Sequence, residues 1–321
     1  MAPEVTFKPA WFLPGPHLQT IWGRIVRPRR LAKLRREVIE TPDGDELVLD
    51  HLDGDESLRF LLLHGLEGSS NSVYMQGLFA AIARRGFAAT AMNFRSCALD
   101  ARGRPMPNRR PRFYHSGETG DFDFVARRLA TSPLVAIGAS LGGNVLLKWL
   151  GENPDQRIIT AAAAFSVPFD LGAGARHIKG LYVARFLRSL RRKVTHLLDR
   201  FPEMRGRVDL AATLRARNFV EFDDAATAPI HGFASADDYY TRSSSLQFLT
   251  RITTPTLILN AEDDPFLPRA SLERAREAAS PAIEFRTTPC GGHTGFIAGA
   301  LPWRCEYWAE EMIVEWLVTR A

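Results

Sequence analysis

The stretch Val135-Ala136-Ile137-Gly138-Ala139-Ser140-Leu141-Gly142-Gly143 constrains this chain more than any other. An apolar run stops at a serine held between small residues, and the chain then resumes at helical spacing, with Val145, Leu146 and Trp149 on one face. This reads as a buried strand breaking sharply into a helix, with Ser140 at the turn. Such a turn strains the serine backbone and crowds strand against helix, so only small residues fit two positions to either side. Gly138 and Gly142 stand there. The serine hydroxyl is then presented at the carboxyl end of a strand and the N-terminus of a helix, where developing negative charge is favoured. Gly-x-Ser-x-Gly alone arises by chance in about one chain in ten of this length. The strand–turn–helix context is what marks Ser140 as a nucleophile rather than a structural turn residue.

Bulk properties narrow the setting. With 321 residues, 45% of them hydrophobic, the chain can bury one large core. Residues 1–22 show no basic stretch followed by a long apolar run, and the longest weakly polar segment, residues 158–169, is too short to span a bilayer. Neither secretion nor an integral membrane segment is expected, which still leaves room for peripheral lipid contact. Cys97, Cys290 and Cys305 are an odd number without CxxC spacing, so no disulfide framework or zinc site is expected and a cytoplasmic setting is the default. No ligand cluster calls for a metal or organic cofactor. The net charge of +5 gathers in residues 24–36, 102–112 and 185–193. Only five of the 41 basic residues are lysine, which points to an arginine bias across the chain. Without a helix-turn-helix, RRM or KH pattern, nucleic acid is not an expected partner.

The order of elements predicts an α/β fold. Apolar runs at residues 37–39, 47–52, 59–64, 87–93, 134–139, 158–165, 256–260 and 283–285 read as strands. Helical patterns cover residues 75–85, 121–130, 141–151, 269–279 and 303–319. A hairpin turning at Asp43-Gly44 leads into a mostly parallel sheet with helices on both faces. Residues 170–250 contain no convincing strand. Ile178, Leu181, Tyr182, Phe186, Leu190, Val194 and Leu197 recur there at helical spacing. The expected organisation is a core of residues 36–169 and 251–321, a helical cap insertion at 170–250, and an N-terminal segment, 1–35, packed on the core.

A serine hydroxyl needs a base, and the imidazole needs an acid to fix its tautomer. His293 is the expected base. It follows the strand at 283–285 in the loop Cys290-Gly291-Gly292-His293-Thr294-Gly295-Phe296, whose glycines let the backbone approach the serine turn. His177, His196 and His231 fall in the insertion. The acid lies in Glu262-Asp263-Asp264-Pro265, after the strand at 256–260. Both Asp263 and Asp264 are candidates for the acid, the other then capping the turn or the helix start near Pro268. The backbone N–H groups of Leu141 and Leu66 are the expected oxyanion donors, and His64 is expected to orient the Leu66 loop.

Several segments resemble a known family. Pro16-His17-Leu18-Gln19-Thr20, HGLEGSSNSVYMQGL at 64–78, YHSGETGD at 114–121, GASLGGN at 138–144, NAEDDPFLP at 260–268 and GGHTGF at 291–296 together look like the YheT-type branch of the α/β-hydrolases. That branch is similar to the eukaryotic ABHD1/ABHD3 hydrolases and the yeast medium-chain ester synthase/esterases. The resemblance runs from about Phe12 to Phe296. It implies an α/β-hydrolase fold and hydrolysis of carboxylic esters with short or medium acyl chains, through Ser140, Asp264 and His293. Asn93-Phe94-Arg95-Ser96-Cys97-Ala98 departs from the family pattern, with serine and alanine where smaller or more permissive residues are usual. A charged or phosphate-bearing substrate docking on the basic residues 102–112 is one reading of that cluster, and a solvated arginine-rich loop the plainer one. The expected partner is a small-molecule ester. Transfer of the acyl group to an alcohol by the same residues, and a non-catalytic binding protein on this fold, stand as alternatives.

Overall fold

The computed structural model describes residues 7–28 and 32–320. The start of the expected N-terminal segment, and Arg29 and Arg30 of the first basic cluster, lie outside the described residues. The chain opens with α1 (Pro16–Val26), followed by β1 (Arg35–Glu40), β2 (Glu46–Leu52), β3 (Asp55–Leu63), α2 (Val73–Arg84) and β4 (Phe87–Asn93). Next come α3 (Gly120–Leu129), β5 (Leu134–Ala139), α4 (Leu141–Glu152) and β6 (Ile159–Phe165). A helical stretch then holds α5 (Leu171–His177), α6 (Leu181–Arg200), α7 (Leu210–Arg215), α8 (Phe219–Phe222), α9 (Ala228–His231) and α10 (Ala236–Ser243). The chain closes with β7 (Thr256–Ala261), α11 (Arg269–Glu277), β8 (Ile283–Thr288), β9 (Ile297–Leu301), β10 (Arg304–Tyr307) and α12 (Trp308–Val318).

The expected mostly parallel sheet is present, in the order β1-β2-β4-β3-β5-β6-β7-β8. Only β2 runs against its neighbours, in the hairpin with β1 that turns at Gly44 and against β4. The remaining pairs are parallel. Central strands read as continuous apolar runs because both faces are covered. Leu61, Leu63 and Ala136 pack with Val125 of α3 and Leu146 of α4 on one side. Phe60, Leu62, Val135 and Ile137 pack with Phe79 of α2 and Ile313 of α12 on the other. Each such leucine or phenylalanine contributes about 1.5–3 kcal/mol by leaving water.

Two stretches differ from the sequence reading. The helix expected over residues 303–319 begins only at Trp308, because Arg304–Tyr307 pairs antiparallel with β9 (Arg304↔Leu301, Tyr307↔Ile297). That hairpin exists through pairing with a strand too short to show a period of its own. Helix α1 was also not expected, although Pro16 at its first turn after Gly15 is a helix-start signal.

A buried ion-pair cluster closes the end of the sheet near the β1–β2 turn. Arg95, just after β4, contacts Asp45 (2.7 Å), Asp121 of α3 (2.6 Å) and Asp43 (3.0 Å). These contacts raise its pKa although burial, the largest single influence, acts the other way. Arg95 thus joins the hairpin, the 94–98 loop and α3. Arg95→Met is expected to leave Asp45 and Asp121 buried without a counter-charge and to cost about 3–5 kcal/mol. Urea unfolding of the two proteins measures it, and a loss under 1 kcal/mol would contradict the assignment.

Candidate active site

Ser140 sits where β5 becomes α4, with φ 52° and ψ −119°. A non-glycine residue in that region carries backbone strain of about 1–3 kcal/mol, so its surroundings must enforce it. They do so by contact. A Cβ on Gly138 would lie 2.5 Å from the Gly142 carbonyl oxygen, and one on Gly142 would lie 2.6 Å from the carbonyl oxygens of Leu63 and His64. A Cβ on Gly65 would come within 3.0 Å of the Ser140 Cβ. The glycines therefore let α4 and the loop after β3 close on the serine together.

Ser140 Oγ lies 2.9 Å from His293 Nε2, and His293 Nδ1 lies 2.8 Å from Asp264 Oδ2. With Nδ1–H donating to the carboxylate, Nε2 is free to accept the serine proton. Asp264 and His293 are buried, while Ser140 is partly open to solvent. The other Asp264 oxygen accepts the Phe266 N–H at 2.9 Å, which fixes the carboxylate. Phe266 in turn stacks on the His293 ring, centroids 4.1 Å apart.

Asp263 is not at the serine–histidine pair and does not cap α11. Its Oδ1 accepts the Gly292 N–H at 2.9 Å, so it braces the histidine loop from below. Burial, ahead of the like charge of Asp264, raises its pKa.

The histidine loop is held from α1 as well, through residues whose roles the sequence reading did not identify. The Gln19 amide makes two hydrogen bonds to the Ile297 backbone, at 3.0 and 2.7 Å, and Thr20 Oγ1 accepts the His293 N–H at 2.9 Å. A side chain on Gly292 or Gly295 would collide with carbonyls of α1. The His17-Leu18-Gln19-Thr20 segment was visible as a family signature, but its partner lies some 270 residues away in sequence.

The loop after β3 is held by two tyrosine hydroxyls. Gly65 N–H donates to Tyr74 Oη (2.8 Å) and Glu67 N–H to Tyr114 Oη (2.7 Å). The Leu66 and Leu141 N–H groups have no protein acceptor among the described residues. Glu67, at φ 53°, joins the loop to α6: its carboxylate accepts from Lys193 (2.5 Å), Tyr114 (2.9 Å) and the Ser189 hydroxyl. Burial opposes the charge on Lys193, but Cys97 and Glu67 outweigh it and hold the ammonium above its ordinary pKa. His64 is fully buried; its Nδ1–H donates to the Gly65 carbonyl at 2.8 Å and its Nε2 accepts the Phe94 N–H at 3.0 Å. Burial pushes its pKa down to about 4.

Ser140 and His293 open into a cleft of about 1390 Å³. Its walls combine Ser140, Leu66 and His293 with α1, the residues around Tyr114 and helices of the 171–243 stretch. Tyr182 of α6 also lines the cleft, hydrogen-bonding His17 (3.0 Å) and packing edge-on against Phe266. His177 and His196 stand apart from the cleft lining. His231 packs against His115, whose pKa burial lowers to about 3.

Comparison with known proteins shows the family and the fold. Residues 59–300 match the family described as the alpha/beta hydrolase fold. YheT of Escherichia coli (strain K12), which carries a provisional esterase designation, is 37% identical over 94% of this chain and 90% of its own length. Phospholipase ABHD3 of Mus musculus is 29% identical over 90% of this chain and 72% of its own. The solved esterase EaEST from Exiguobacterium antarcticum superposes with a TM-score of 0.55 at 16% identity, covering 89% of this chain and 98% of that one, which speaks to the fold.

The buried His64 gives a pH signature. Its folded pKa of about 4 lies below the ordinary 6.5, so the unfolded chain takes up its proton first as pH falls. The stability it confers is present above pH 6.5 and is lost toward pH 4. His64→Gln can keep both hydrogen bonds but cannot titrate. The stability of wild type relative to His64→Gln should therefore decline between pH 6.5 and 4, by up to about 1.4 kcal/mol per pH unit. Denaturant unfolding across that range measures the difference, and a constant gap would mean that His64 is charged in the fold.

Proposed function

The chain belongs to the α/β-hydrolase family, and from that premise we propose that it is a serine esterase acting on carboxylic esters of short to medium acyl chains. The observation that carries the reading is the hydrogen-bonded series Ser140–His293–Asp264, opening into a cleft beside two N–H groups free to bind an oxyanion. His293 Nε2 removes the Ser140 proton as Oγ attacks the ester carbonyl. The Leu66 and Leu141 amides stabilise the oxyanion, and Asp264 holds the ring tautomer and favours the imidazolium. The alcohol leaves with the proton from His293. Water, activated by the same imidazole, then releases the acid and frees Ser140.

On this reading the helices of residues 170–250 form a cap over a core of residues 36–169 and 251–321, with the N-terminal segment packed against it. The cleft wall supports a limit to shorter chains. Phe113, Ile178 and Phe219 offer apolar contact, but Asp223, Thr227 and Tyr240 interrupt it. Asp223 hydrogen-bonds Thr227 (2.5 Å) and Tyr240 (2.6 Å), and burial pushes its pKa up to about 6. A long chain laid against these groups would desolvate them for no return. No helix among the described residues is long and apolar enough to cross a membrane. We read the enzyme as cytoplasmic, acting on small esters without a cofactor.

A fluorophosphonate probe should label wild type on Ser140 and leave Ser140→Ala unlabelled, with p-nitrophenyl ester turnover greatest from acetate to octanoate. Equal labelling of Ser140→Ala would remove this residue from the mechanism, and rates still rising at palmitate would remove the chain-length limit.

The two adjacent aspartates are expected to separate cleanly. Asp264→Asn should lower kcat by about three to four orders of magnitude, because the imidazole loses the partner that fixes its tautomer. Asp263→Asn keeps an acceptor for Gly292 and should cost under about 2 kcal/mol of stability with kcat within tenfold. Steady-state kinetics and thermal melts of both decide it; an inactive Asp263→Asn beside an active Asp264→Asn reverses the assignment.

A further inference from the structure

Helix α6 carries a feature that ester cleavage itself does not use. It holds Arg185, Arg188, Arg191, Arg192, Lys193 and Arg200 against one acid, Asp199. Lys193 is taken by Glu67, Arg191 by the carbonyls of Thr213 and Ala216, and Asp199 turns to Arg205. Arg185, Arg188 and Arg192 are exposed and meet no acidic side chain among the described residues. In the basic stretch 102–112, by contrast, three of the five arginines are paired, Arg104 with Asp100, Arg109 with Glu46 and Arg112 with Glu118.

Positions 185, 188 and 192 are three and four apart, so they share one helix face and repel one another. Each directly precedes a residue that reaches the site. Phe186 packs on Phe266, which stacks on His293, while Ser189 and Lys193 hold Glu67 beside Leu66. All three arginines line the same cleft as Ser140.

We infer that this stripe recognises an anionic group, a phosphate or similar oxyanion, on the alcohol portion of the ester. The inference rests on the esterase reading. Exposure places the arginines at the solvent side of the cleft, where a headgroup remains while the acyl chain occupies the interior. The buried Asp223 carboxyl lines the same cleft and disfavours an anion in its interior. Guanidinium forks match phosphate oxygens two at a time, which a solvated lysine stripe would not do.

The test compares two soluble, monomeric esters, butyrylglycerol phosphate and butyrylglycerol, on the full chain. Wild type should favour the phosphate ester in kcat/KM by about tenfold or more at low salt, with the ratio shrinking as salt rises. Both Arg188→Glu/Arg192→Glu and Arg188→Gln/Arg192→Gln should collapse the ratio, the reversal more strongly, with thermal melts confirming that each is folded. A wild-type ratio near one, or a ratio that survives reversal, overturns the inference. So does a reversal that affects only esters embedded in phosphatidylglycerol vesicles, because the stripe would then be a membrane contact. If wild type cleaves neither ester, the esterase reading fails on its own account. Calorimetry with glycerol phosphate then decides the stripe: binding lost on reversal supports it, and no binding to wild type overturns it.

Discussion

The backbone of Ser140 is the constraint around which the rest of the site is arranged. A left-handed serine at the end of β5 is tolerable only because Gly138 and Gly142 let α4 press against the ends of β3 and β5. The same close packing brings Gly65, and with it the Leu66 amide, against the serine. Similar strain recurs where neighbouring loops leave the sheet. Glu67, Ser96, Ser140, Ser166, Thr294 and Phe296 are the non-glycine residues with positive φ among the described residues, and all lie beyond the carboxyl ends of β3, β4, β5, β6 or β8. Strain of this kind persists where surrounding contacts over-determine the backbone, and it clusters at functional sites. Here each is tied down nearby: Ser166 Oγ, for example, accepts the Thr294 N–H at 2.9 Å and so joins the loop after β6 to the histidine loop.

Much of this was legible in the chain because it is local. The serine turn, the glycines around His293 and the acidic loop after β7 each declare themselves within ten residues. Asp264 meets His293 while Asp263 turns to the Gly292 N–H, because adjacent side chains leave the chain in different directions. What was hidden depends on pairing across the sequence. Gln19 reads as an ordinary polar helix residue until Ile297 is placed beside it. Asn144, one position past the glycines, proves to be a buried clamp that holds the Ser116 and Ser243 carbonyls and the Ser245 N–H. The Tyr114 segment was recognised as a signature without a role; its hydroxyl positions Glu67. Ser96 takes φ 61°, the conformation for which a glycine would be the unstrained choice.

Helix α6 shows how a hydrophobic pattern can be right in kind and wrong in detail. The expected stripe included Leu181, which is 88% exposed, whereas Val183, Leu187, Leu190, Val194, Leu197 and Leu198 form the buried face. Tyr182, Phe186, Ser189 and Lys193 make a second face directed at the loops that carry His293 and Leu66. A helix that packs on two sides blurs a single-stripe reading of its sequence. It also ties the helical segment to the candidate oxyanion loop through Ser189, Lys193 and Glu67.

Transient acylation of Ser140 is the step on which the proposed esterase chemistry depends. The most direct measurement is rapid acid quench of the protein with p-nitrophenyl butyrate, followed by mass spectrometry of the digested chain. A butyryl adduct should appear on the peptide that contains Ser140, formed at the rate of the p-nitrophenol burst. Turnover with no adduct at any time, or an adduct confined to another residue, would contradict it.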